Sequence, residues 1–135
     1  MKNISIIPQP TSIIIKPGYI YLKKIKGIMK GVQIVYHCAA TAHEGLSVFS
    51  PYEITKNNYL ASVSIFSAAV NEKVDRLIFC SSMARYGDQK APFNEQMKPK
   101  PVDPYAISKV AAEDVLKNLC GLNGVEWVIA IPHNI

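Results

Sequence analysis

The stretch from Leu77 to Ile131 constrains this chain most. A short apolar run, Leu77-Ile78-Phe79-Cys80, ends on Ser81 and Ser82; a proline-rich loop with Pro92, Pro99 and Pro101 follows, then a capped amphipathic segment, then a second apolar run from Val125 to Ile131 that carries Trp127. Continuous apolar runs of this length read as strands buried in a parallel sheet. Between them, Asp103 is placed to cap a helix and Pro104 suits its first position. Ala106, Ile107, Val110, Ala111, Val115, Leu116 and Leu119 then keep an apolar stripe at helical spacing, and the helix is expected to end near Gly121.

The preceding chain alternates in the same way. Ser12 to Lys16 reads as a strand, Leu22 to Lys30 as a short basic helix, Gln33 to Cys38 as a strand, and Pro51 to Glu72 as one long helix with Ile54, Ala61, Ile65 and Ala68 on one face. With 135 residues, 49% of them hydrophobic and 19% charged, the chain has enough apolar material for one core and too little charge for disorder. The net charge of +5 includes a cluster at Lys23, Lys24, Lys26 and Lys30, read as a solvated helix face. No aromatic-interleaved basic pattern points to nucleic acid, and no Cys/His spacing points to zinc. Cys38, Cys80 and Cys120 are odd in number, and two fall in strands expected to be buried, which suits a reducing compartment. The N-terminal apolar run is broken by Pro8 and Pro10 and is too short for a membrane span or signal core, so a cytoplasmic protein without membrane partners is expected.

Tyr105 and Lys109 lie four residues apart, which places them on one helix face, so that an ammonium can favour a phenolate. The spacing alone is weak, since Tyr19/Lys23, Tyr52/Lys56 and Tyr86/Lys90 share it. Only Tyr105 follows a helix-start signal. Ser82 lies at the carboxyl end of an expected strand, where open α/β sheets bind ligands. Taken singly, Ser82 reads as a strand terminator and Tyr105 as a half-buried helix residue; in this order and separation they read as a catalytic set.

Five ordered pieces carry a resemblance: Gly31-Val32-Gln33-Ile34-Val35-Tyr36-His37-Cys38-Ala39-Ala40, Asn57-Asn58, the segment Phe79 to Gly87, Tyr105 to Lys109, and Pro132-His133-Asn134-Ile135. From about Gly31 onward the chain resembles the middle of an extended short-chain dehydrogenase/reductase in the NAD-dependent epimerase/dehydratase family, particularly its UDP-glucose 4-epimerase-like members. The resemblance implies a partial Rossmann-like, doubly wound parallel sheet, NAD as cofactor with NADP as an alternative, and a nucleotide-sugar substrate. It gives Ser82, Tyr105 and Lys109 the catalytic roles, with Lys109 also contacting the nicotinamide ribose and lowering the Tyr105 pKa. Cys38, Ala39, Ala40, Asn58, Ser81, Tyr105, Lys109 and His133 would contact the cofactor, and no metal is implied.

Parts of the family pattern are missing. No glycine-rich turn precedes an apolar helix, although a pyrophosphate needs one. The acidic stretch that follows the third strand in relatives is Gly18-Tyr19-Ile20-Tyr21-Leu22 here, and the sequence stops at Ile135, before a substrate-binding domain. The expected division is therefore residues 1–11 outside the family and 12–135 as a partial nucleotide-binding domain, third to sixth strands. Without a first strand, the strand at Gln33 to Cys38 has an open edge that either Ile4 to Ile7 fills or that leads to self-association or a homodimer. The alternative to an enzyme is thus a non-catalytic fragment that acts as an association module.

Overall fold

The computed structural model describes residue 25 and residues 27–42 and 44–133. Ile4 to Ile7, Ser12 to Lys16, the run Gly18 to Leu22, Lys23, Lys24, Lys26 and Asn134 lie outside the described residues. Of the expected helix from Leu22 to Lys30, the described part from Gly27 to Gly31 is a series of turns; Ile25, Met29 and Val32 are buried and Lys30 is exposed.

Strand β1 (Ile34–His37) leads through a 3-10 turn (Ser47–Phe49) to α1 (Pro51–Ile54), a π-helical turn (Thr55–Leu60) and α2 (Ala61–Asn71). Strand β2 (Arg76–Cys80) is followed by a 3-10 turn (Met83–Tyr86), the long helix α3 (Pro104–Asn123) and β3 (Glu126–Ala130). The three strands are parallel in the order β1-β2-β3, with His37 opposite Phe79 and Phe79 opposite Ile129. Parallel neighbours need crossovers, and the two helical connections supply them.

Leu77 and Phe79 are fully buried and pack with Phe66 and Ala69 of α2, Ala112 and Leu116 of α3, and Ile25 and Met29. Each of the larger side chains, the leucines, phenylalanines, isoleucine and methionine, contributes about 1.5–3 kcal/mol through burial. On the opposite face one cross-strand row runs Tyr36, Ile78, Val128. Tyr36 is 62% and Val128 45% exposed, so no described helix covers this face.

Asp103 caps α3 as expected: its Oδ1 accepts from the Ala106 N–H at 2.9 Å, with Pro104 at the first helical position. The helix runs past Gly121, however, and ends at Asn123, because Gly124 supplies the left-handed residue (φ 67°) whose N–H closes on the Cys120 carbonyl. The apolar stripe is also shifted. Ala106 and Leu116 of the stripe are buried as expected, but Ile107 is 53% exposed, and Tyr105, Ser108, Lys109, Ala112, Glu113 and Cys120 complete the buried face. Propensity and polarity mislead here because the polar members find partners inside. The expected helix 51–72 is interrupted by its π-helical turn, and Ala61 is only half-buried.

Gly87 fixes the loop that leads to α3. Its φ is +57° with ψ −130°, and a Cβ there would sit 2.2 Å from the Lys100 carbonyl oxygen. Gly87→Ala is expected to destabilise by at least about 1–3 kcal/mol from the backbone conformation alone, with the steric clash added. Chemical denaturation checks this; a wild-type midpoint for the variant would contradict it.

Candidate active site

The carboxyl ends of β1 and β2 meet the first two turns of α3. Successive helix turns direct Tyr105, Lys109 and Glu113 along one buried line at four-residue spacing. Tyr105 is 6% exposed, and the Ser82 side chain lies close enough to its phenol to act on its pKa. Ser82 in turn caps the 3-10 turn, its Oγ accepting from the Ala84 N–H at 3.2 Å. The expected serine and tyrosine are therefore brought together by β2, the turn that follows it, and α3.

Lys109 is 3% exposed; its Nζ donates to the Cys80 carbonyl at 2.8 Å and lies 5.0 Å from the Phe79 ring centroid and 5.9 Å from that of Tyr105. Burial lowers its pKa to about 8, against the smaller opposing pull of Cys80, Cys38 and Glu113. Tyr105 does not follow the expected direction. Burial pushes its pKa above the ordinary tyrosine value, the Ser82 side chain opposes that, and the carboxylates of Glu44 and Asp103 add to it. The ammonium is committed to the Cys80 carbonyl, so the lowering by Lys109 is not realised in this arrangement.

His37, at the end of β1, is buried between Phe66 and Phe79. Its Nε2 is 2.8 Å from Ser62 Oγ, and that hydroxyl already donates to the Asn58 carbonyl at 2.5 Å. Ser62 must therefore accept, and the imidazole is the Nε2–H tautomer. Burial first, and Lys109 second, lower its pKa to about 4, so it is neutral near pH 7.

Asn58 lies in the π-helical turn and is 2% exposed. Its amide clamps the loop after β1: Oδ1 accepts from the Thr41 N–H at 2.7 Å and Nδ2 donates to the Thr41 carbonyl at 3.1 Å. Ala39 and Ala40 sit half-buried between that clamp and the strand. Contrary to the expected burial, Cys38 is exposed just beyond β1, and Cys80 is half-buried. Ser81 is turned away from Ser82: its hydroxyl donates to Glu113 Oε1 at 2.5 Å. His133 is exposed beyond β3.

Sequence reasoning missed the pair behind this line. Arg85 and Glu113, 6% and 0% exposed, form a buried ion pair at 3.3 Å. A glutamate four residues after Lys109 was the only local signal. A shallow hollow of about 710 Å³ beside Val74, Asp75 and Gly124 lies at the amino ends of β2 and β3, away from these groups.

A family model described as NAD dependent epimerase/dehydratase matches residues 22–135. The chain belongs to that family. It is 32% identical over 96 residues to UDP-glucose 4-epimerase of Rhizobium meliloti (strain 1021), covering 70% of this chain and 29% of that protein. It is 36% identical over 83 residues to human dTDP-D-glucose 4,6-dehydratase, covering 61% and 24%. Among solved structures, UDP-N-acetylglucosamine 4-epimerase from Methanobrevibacter ruminantium M1, in complex with UDP-N-acetylmuramic acid, matches with a TM-score of 0.73 and 35% identity over 80% of this chain and 34% of that one. UDP-glucose 4-epimerase from Brucella ovis, in complex with NAD, matches with a TM-score of 0.71 and 28% identity over 80% and 33%. The Rossmann-like fold of this epimerase/dehydratase chain is thus shared with these relatives, of whose own length it spans about a third.

Proposed function

We propose that this chain serves NAD-dependent oxidoreduction of a nucleotide-sugar, of the epimerase/dehydratase type, with Tyr105 as acid/base, Ser82 holding the reacting hydroxyl and Lys109 contacting the nicotinamide ribose. The observation that carries this reading is the placement of Ser82 beside the buried Tyr105 phenol, with Lys109 one helix turn further along the same buried line. Relatives that act on UDP-glucose and dTDP-D-glucose support the substrate class, and a relative held with NAD supports the cofactor, with NADP as an alternative.

The residues present fit the nicotinamide-ribose half of a dinucleotide. An ammonium has three donors, and the described residues give Lys109 one acceptor, leaving donors for ribose hydroxyls. Ala39 and Ala40 leave room beside the strand end, Cys38 flanks them, and His133 borders the far end; Asn58 shapes this loop through Thr41 rather than through a free amide. The Ser81 hydroxyl donates to Glu113 and its N–H to the Ala130 carbonyl, so both of its donors are already committed. NAD, when bound, supplies the hydride acceptor.

Tyr105 takes the proton of the sugar hydroxyl and Ser82 orients that hydroxyl, while Lys109 holds the nicotinamide ribose. Epimerisation and dehydration both begin with this proton removal. A cytoplasmic location belongs to the same reading; no described helix is long and apolar enough to cross a membrane. One observation favours association as a second role: the row Tyr36, Ile78, Val128, which no described helix covers and which fits a homodimer or another self-association.

Calorimetric titration of the full chain with NAD⁺, beside Lys109→Met, tests the enzyme reading. Micromolar binding that weakens at least tenfold in the variant is expected. Absence of binding into the millimolar range would leave the association role, read by sedimentation, as the better account.

A further inference from the structure

Cys38, just beyond β1, and Cys80, the last residue of β2, each lie one step past the registered pair His37 and Phe79. Their sulfurs are 3.3 Å apart and hydrogen-bonded, and both project to the face that no described helix covers. Adjacent strands lie about 4.8 Å apart, inside the Cα separation of roughly 4.4–6.8 Å that a disulfide accepts. With the sulfurs already 3.3 Å apart, only a short approach is needed to bring them to bonding distance. The two thiols differ in access: Cys38 is exposed, Cys80 half-buried. The ammonium of Lys109 sits on the Cys80 carbonyl, at the end of the strand that carries one of the two thiols.

We propose that Cys38 and Cys80 form a thiol–disulfide exchange site for small disulfides of the glutathione type, with Cys38 as the attacking thiol and Cys80 as the resolving one. The Cys38 thiolate attacks one sulfur of the small disulfide; that S–S bond breaks, and the departing thiolate takes up the proton Cys38 released to solvent. Cys80, deprotonated to solvent, then attacks Cys38 Sγ. The Cys38–Cys80 bond forms, the mixed disulfide breaks, and the second small thiol leaves with the remaining proton. One small disulfide is reduced to two thiols while the cysteine pair is oxidised by two electrons. Burial and the Cys38 hydrogen bond raise the Cys80 pKa, which fits its acting second. Cys120, buried on α3, provides an internal control.

The test incubates the reduced full chain with oxidised glutathione and reads intact mass and a non-reducing peptide map. The expected product has lost two hydrogen atoms, carries the Cys38–Cys80 bridge, keeps Cys120 as a free thiol and reverts with dithiothreitol. Cys80→Ser is expected to trap glutathione on Cys38, and Cys38→Ser to slow reaction at Cys80 at least tenfold. Wild-type protein that retains glutathione on Cys38 without closing, that links two chains through Cys38, or that reacts equally at Cys120 would overturn the proposal.

Discussion

Glu113→Ala is expected to remove about 3–5 kcal/mol of stability, the usual loss when one member of a buried ion pair is deleted. The carboxylate is fully buried; it accepts from Ser81 and faces Arg85 at 3.3 Å and Lys117 at 3.7 Å. Removal leaves the Arg85 guanidinium in the interior without its counter-charge and Ser81 without its acceptor. Arg85 Nε and Glu113 Oε2 find no hydrogen-bond partner among the described residues, so the site holds little reserve. The pair is itself weak support for stability, since desolvation offsets most of the attraction. A combined Arg85→Met, Glu113→Leu variant is therefore expected to recover most of the loss. Urea midpoints of the single and combined variants check both statements; a Glu113→Ala loss under about 1 kcal/mol, as for a solvated pair, would contradict them. Because Ser81 precedes Ser82, the Glu113 contact also anchors β2 against α3 at the point where Ser82 meets Tyr105.

Lys109→Met is expected to do the opposite to stability while weakening NAD⁺ binding. A lysine whose pKa falls from 10.5 to about 8 on folding holds its charge at a disadvantage inside the protein. The unfolded chain then binds more protons than the folded one between those values, so the cost is full below pH 8 and is relieved as pH rises towards 10.5. At 1.36 kcal/mol per unit, methionine, which keeps the buried stem, is expected to gain up to about 3 kcal/mol at pH 7. That advantage should vanish by about pH 11. Burial also raises the Cys80 and Tyr105 pKa values, so the difference between wild type and variant is the quantity to follow. An advantage that stays constant with pH would mean that packing, not charge, caused it. A more stable variant that fails to bind NAD⁺ also separates lost recognition from lost folding.

Local chemistry was legible wherever a single segment decides the outcome. Asp103 and Pro104 start α3 because a side-chain acceptor and a fixed φ act within one turn, and the apolar runs around Phe79 and Val128 became parallel strands. The tyrosine and lysine fell on one helix face because four residues nearly complete a turn. Legibility failed where partners come from distant segments. Glu113, Arg85 and Ser81 look like surface residues in sequence, yet each is buried because the others satisfy it. The C-terminus of α3 was misplaced because Gly121 and Gly124 differ only in backbone conformation, which no composition reports.

The sequence by itself determined the alternation of strands and helices, the family, and the helical register of Tyr105 and Lys109, since these depend on periodicity and short-range spacing. Only the tertiary structure decided the charge states and pairings: a neutral His37, a Lys109 lowered by burial, a raised Tyr105, and two thiols within contact across strands. Desolvation and partner distance set those properties, and both exist only once β1, β2 and α3 are packed together.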